Sequence, residues 1–159
     1  MNNRWIKILF SLSAGLYISL VCFNNITDYP TNFQFVRMVA SMDDVFSKET
    51  NGWRGTDNTL VHHLLYLAII FWELTIAFFL LLGSARMIRR LKAAPGEFAG
   101  AKQLAANGFA LGVVLWFTVF ITAGGEWFLM WQSEKWNAQS NAFSLSCCFL
   151  LFLVQHNQE

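Results

Sequence analysis

Leu104–Gly125 runs without one charged side chain. No other feature restricts the fold as strongly, because roughly 20 helical residues cross about 30 Å of hydrocarbon. The run is not alone. Trp5–Phe23 is apolar apart from Lys7, and Leu64–Gly83 holds a single ionisable residue, Glu73. Ala142–Val154 is shorter and reaches across only if Asn137–Ser140 carries it through the headgroup layer. Continuous runs lack the in–out alternation of barrel strands, so the expected spans are helices. Composition agrees: 13% of residues are charged, against about 25% in a soluble domain.

The expectation is an all-α, four-transmembrane-helix bundle forming one domain over 1–159, with spans at about 5–23, 60–86, 104–125 and 138–155. Arg4 and Lys7 ahead of the first run also suit a signal peptide. No small-x-small site follows, since the chain reads Val21-Cys22-Phe23-Asn24, so an uncleaved span is expected. Orientation follows from the basic residues. Arg4, Lys7, Arg86, Arg89, Arg90, Lys92 and Lys102 flank the first span and fill the second loop, which places both termini in the cytoplasm. Arg37, Lys48, Arg54 and Lys135 are left for the outer loops. A net charge of +1 argues against a nucleic-acid partner. The three cysteines form no Cx2C pair and suggest neither a zinc site nor a disulfide framework.

The first loop, about Asn24–Thr59, is too long for a connector. Thr31 and Gln34 have capping-box spacing, and Phe35, Val36, Val39, Met42 and Phe46 recur at helical intervals. A short amphipathic helix on the membrane surface, or folded over the bundle, is expected. Thr56 or Asp57 is expected to cap span two. The second loop is expected to turn at Pro95-Gly96, with a helix starting near Glu97. In loop three, Trp127, Phe128, Met130, Trp131 and Trp136 read as an interfacial aromatic belt.

Glu73 is the residue most open to a chemical role. A charge at mid-bilayer costs about 2.5–3.5 kcal/mol even on lenient scales, so it must be protonated, paired or facing a wet interior. His62, Tyr66, Ile69 and Glu73 share one helix face. Two readings stand: a proton or ion path or binding cleft, and an inter-helix hydrogen bond to Ser11, Ser13, Thr118 or Thr122. His62 or His63 with Glu126 and an aspartate such as Asp43 could form a metal site, though adjacent histidines diverge on a helix. The alternative is a histidine donating to a loop carbonyl. His156 falls on the opposite side, so two axial histidines cannot meet across one haem. Gly108-x-x-x-Gly112 and Ser11-x-x-x-Gly15-x-x-x-Ser19 offer small-residue helix contacts, within the chain or in a homo-oligomer.

Several motifs together resemble a known family. They are Asn25-Ile26-Thr27-Asp28-Tyr29, Ser41-Met42-Asp43, Trp53-Arg54, His62-His63, Trp72-Glu73, and Gly124-Gly125-Glu126-Trp127-Phe128. The chain resembles the bacterial DUF2165 family of predicted small integral membrane proteins over nearly its whole length. Arg37 departs from that family's preference for His, which weakens a metal site using that position. The resemblance implies a bacterial inner membrane, periplasmic first and third loops, and no glycan on the Asn25 sequon. It implies no activity. Its motifs gather at the outer face, where His62, His63, Glu126, Asp43, Trp53 and Arg54 are the expected binding residues, with Tyr66 and Glu73 as intramembrane polar groups. The expected role is a non-catalytic accessory or partner-binding subunit. The alternatives are transport centred on Glu73, or a metal- or quinone-binding redox component.

Overall fold

A computed structural model describes residues 3–158, which are helical with no strand among them. Helix α1 spans Asn3–Thr27, α2 Tyr29–Ser41, α3 Lys48–Asn51, α4 Thr59–Arg89 and α5 Pro95–Val114. α5 continues unbroken as a π-helix over Leu115–Trp127, and α6 covers Gln139–Asn157. Among the described residues three helices are long and apolar enough to cross a membrane: Asn3–Thr27, Thr59–Arg89 and Pro95–Trp127. α6 has 19 residues, with Gln139, Ser140, Asn141, Ser144 and Ser146 in its first half.

α4 is the central element, with α1 and α5 along its flanks and α6 against α5 and the π-helix. Ile18, Ile76, Leu80, Phe109 and Leu115 are fully buried between them. Leu20, Phe71, Phe78 and Leu151 point outward and stay exposed, as a lipid-facing surface allows. Since lipid is as apolar as leucine, close helix contact depends on small residues. A Cβ added to Gly83 would lie 2.6 Å from the Ala105 backbone nitrogen, so α4 and α5 touch backbone to backbone. Gly108 lies against Leu80, Gly112 against the Phe149 ring and Gly15 against Leu81. The small-residue faces of Gly108-x-x-x-Gly112 and Gly15 are thus used inside the chain.

The helix ends sort into two groups. Arg4 donates to the carbonyls of Leu91 (2.8 Å) and Ala93 (2.7 Å), tying the start of α1 to the turn after α4. Lys7 and Lys102 both donate to the Gln158 carbonyl just past α6. At the far end the first loop docks on the segment after the π-helix. Ser133 donates to Asp44 (2.5 Å), Phe46 N–H donates to Gln132 Oε1 (2.8 Å), and the Trp53 and Trp127 rings meet edge to face at 5.8 Å.

Local starts and stops differ from expectation in four places. α2 begins at Tyr29 with Pro30 in its first turn, so Thr31 lies inside the helix and forms no cap. It ends at Met42, whose left-handed backbone (φ 55°) turns the chain before Phe46 can join the apolar face. Asn58, rather than Thr56 or Asp57, caps α4, its Oδ1 accepting from the N–H of Leu60 (2.9 Å) and Val61 (3.4 Å). Pro95 is the first residue of α5 rather than part of the turn, a position where its missing N–H costs nothing.

Candidate functional site

α1 ends early relative to α4. Thr27 is two residues past Asn25, whereas Glu73 is fourteen residues into α4, yet Asn25 Nδ2 donates to Glu73 Oε2 at 2.7 Å. The α1–α2 corner is therefore recessed by roughly three helical turns from the start of α4. α2 lies over the recess, packed on α4 and α1, which makes it a roof rather than a free surface helix. Val36 and Ala40 are its buried face.

Under this roof the polar groups join up. Tyr66 donates to the Asn25 carbonyl at 2.8 Å, satisfying one of the carbonyls that the last turn of α1 leaves open. Glu73 and Tyr66 are both about fully buried, at 1% and 2% exposure. The polar face expected for His62, Tyr66 and Glu73 is present and faces inward. The expected partners of Glu73 are not: its hydrogen bond runs to Asn25 instead of Ser11, Ser13, Thr118 or Thr122. Ser11 donates to the Lys7 carbonyl and contacts His156 Nε2, and Thr122 donates to Phe117.

A cavity of about 230 Å³ opens beside these groups, lined by Glu73, Asn25, Tyr66 and Asn32 on its polar side and by Trp116 and Phe120 among its apolar walls. A second, wholly apolar cavity of about 210 Å³ adjoins it, sharing Phe35, Val36, Ile69 and Phe120 and reaching Trp72, Phe128 and Met130. Together the two fall within the size range of small-molecule sites, about 300–1,000 Å³. The π-helix supplies the far wall through Leu115, Val119, Phe120, Ala123 and Gly124. Its i→i+5 winding adds a residue to every turn, and such turns cluster at functional sites. Below Glu73 the inward residues of α4 are Ile76, Ala77 and Leu80, so the polar stripe stops at the cavity floor.

The residues expected at the outer face do not converge on one site. His62 Nε2 donates to the Thr56 carbonyl at 2.7 Å, the loop-carbonyl alternative, while Thr56 N–H donates to Ala40 at the end of α2. His63 turns away, stacked on Phe33 (centroids 4.1 Å apart) and hydrogen-bonded through Nδ1 to the Tyr29 hydroxyl at 2.8 Å. Lys48 and Ser41 both donate to Asp43, holding its carboxyl below the usual carboxylate range. Glu126 is exposed. Among the described residues no three His, Cys, Asp or Glu side chains gather as metal ligands would. Trp53 and Arg54 do meet the Gly124–Phe128 block, but through Trp127: Arg54 lies over both indole rings, and Trp127 Nε1 donates to the Arg54 carbonyl at 3.3 Å. His156 is buried at the other end, against Ser11.

Asn25 is the site residue that sequence reasoning passed over, since it drew notice as a sequon and as part of a family motif but not as a partner for Glu73. The signal was its place in the last turn of an apolar helix, where a buried amide needs a partner. No characterised protein and no solved structure shows a match to the chain. A family model described as predicted small integral membrane protein matches residues 3–159, and the chain accordingly belongs to the DUF2165 family.

Proposed function

We propose that this protein is a non-catalytic membrane binding protein that seats one amphiphilic molecule, its hydroxyl-bearing head against Glu73 and its apolar part in the adjoining cavity. The carrying observation is a buried carboxyl with one amide partner, lining a cavity whose remaining walls are chiefly apolar. A few placed polar groups on an apolar surround are the usual build of a ligand site. Asn25 has no titratable proton, so the pair can hold a head group but not relay a proton. Transport centred on Glu73 would need polar groups beyond it, and Ile76, Ala77 and Leu80 stand there instead. A redox site at the outer face is weakened because His62 and His63 are each committed to a neighbour. An accessory role in a larger membrane complex fits this passive chemistry.

The same reading takes the chain as one transmembrane domain of four passes in a bacterial inner membrane. α6 supplies the fourth pass, its 19 residues rising roughly 28 Å. The end that holds Arg4, Lys7, Arg86, Arg89, Arg90, Lys92 and Lys102 is then cytoplasmic, with both termini.

Tryptophan fluorescence tests the binding reading, because Trp72 and Trp116 line the two cavities. Titrating the purified protein with a chain-brominated long-chain alcohol should quench fluorescence saturably. The methyl ether of the same alcohol, which cannot donate, should bind roughly tenfold more weakly. Glu73→Gln should narrow that gap without lowering the melting temperature. Equal binding of alcohol and ether by the unaltered chain overturns the proposal.

A further inference from the structure

The last turn of α4 brings three arginines to one cleft. Arg86, Arg89 and Arg90 line a cavity of about 320 Å³ whose other walls are Glu97, Gly100 and Ala101 of α5. Arg86 stands three residues before Arg89 and four before Arg90, so the three share a helix face. Arg90 donates to Glu97 Oε2 at 2.8 Å, which uses up the one carboxylate that lines the cleft. Arg86 and Arg89 are exposed, and among the described residues their guanidiniums make no hydrogen bond, ion pair or ring contact. Two cations therefore stand uncompensated at a spacing where like charges repel. The negative pole of α4 draws cations to its last turn, but it does not require them to surround a cleft. Gly100 keeps the cleft open, since a Cβ there would meet nothing within 4 Å. Lys102, the α5 cation that donates to the Gln158 carbonyl, is not one of the lining residues.

We infer that the Arg86–Arg89–Arg90 cleft binds a phosphate group, carried by the headgroup of an anionic phospholipid or present as free phosphate. A guanidinium meets phosphate oxygens with two parallel N–H donors, so Arg86 and Arg89 can share one phosphate between them. α4 is long and apolar enough to cross a membrane, and these arginines close it, which suits a headgroup at that depth. Basic pockets between membrane helices bind anionic headgroups, and each cation near such a surface changes affinity roughly fivefold. The cleft shares no lining residue with the Glu73 cavity, so either site can fail without the other.

Native mass spectrometry of the full chain in a neutral detergent distinguishes the sources, using short-chain phosphatidylglycerol, short-chain phosphatidylcholine and inorganic phosphate as probes. The expected result is retention of phosphatidylglycerol over phosphatidylcholine, weakened by added salt. Arg86→Gln and Arg89→Gln, both at exposed positions, should each lower the retention roughly fivefold, and together about twenty-fivefold. Gly100→Leu changes no charge but fills the cleft, and should lower the retention as well. Lys92→Gln removes an exposed cation that does not line the cleft, and should leave the retention unchanged. Should the doubly substituted chain fail to fold, the charge-keeping Arg86→Lys/Arg89→Lys pair must preserve the preference. Preferential uptake of inorganic phosphate, lost in Arg86→Gln, supports the anion site and makes free phosphate its source. Two results overturn the inference. One is equal retention of the two lipids with no uptake of inorganic phosphate, or retention unchanged by Arg86→Gln and Arg89→Gln. The other is a loss in Lys92→Gln equal to that in Arg86→Gln with Gly100→Leu having no effect, which would make the attraction one of surface charge alone.

Discussion

Asn25 links three separate requirements at one position. Its amide satisfies Glu73, its carbonyl accepts from Tyr66, and it stands two residues from the end of α1. A buried polar group that loses its partner costs about 1–3 kcal/mol, whereas removing both partners together is nearly neutral. Asn25→Ala should therefore destabilise the protein by about 1–3 kcal/mol. Asn25→Ala combined with Glu73→Leu should recover most of the loss. Denaturant titration in detergent of the single and double variants checks this as a double-mutant cycle, and purely additive losses would contradict the pairing. Asp43 shows the opposite situation at the surface. Lys48 and Ser41 lower its proton affinity, but the ion pair is exposed and serves mainly to shape the first loop.

Among the elements, α2 and the π-helix give the site its shape, and Gly83 gives the bundle its spacing. α2 is short and only moderately apolar, yet its Phe35 and Val36 line both cavities, so it acts as the roof of the site. The wider winding of the π-helix changes which side chains face inward along Leu115–Trp127. Trp127, not Glu126, consequently meets Trp53 and Arg54. The α4–α5 contact has no slack at Gly83, where the nearest atoms are the backbone and Cβ of Ala105. Overpacking of this kind costs about 1–3 kcal/mol, because backbone cannot move aside as a flexible side chain can. Gly83→Ala should lower stability by that amount, read from the unfolding midpoint, while Gly96→Ala and Gly100→Ala, which meet open space, should cost little.

At the scale of the whole molecule, the two ends carry different chemistry. One is basic and gathers the start of α1, the α4–α5 turn and Gln158 just past α6. The other is aromatic and locks the first loop onto the segment after the π-helix. On the proposed four-pass reading, α6 crosses the bilayer between them. Single cysteines in an otherwise cysteine-free chain test this: a membrane-impermeant maleimide should label Glu49→Cys in intact cells, and Lys92→Cys and Asn157→Cys only after lysis. Labelling of Asn157→Cys in intact cells would show that α6 does not cross.

The helical class and the three longest apolar helices were legible in the sequence, because hydrocarbon forces continuous apolar runs to hydrogen-bond internally whatever their neighbours do. The inward face of His62, Tyr66 and Glu73 was legible for a similar reason, since helical period alone puts them together. Which atoms meet them was not. The partner of Glu73 depends on how far α4 overshoots α1, and that offset is set by contacts such as Gly15 against Leu80 and Leu81 and by α2 folding back at Asp28–Tyr29. The outer residues grouped by topology separated for the same reason: each found a nearer local partner, Thr56 for His62 and Tyr29 for His63, and Lys48 for Asp43. Periodicity decides which face a side chain occupies, whereas relative helix height and winding decide what it touches, and only packing in three dimensions sets those.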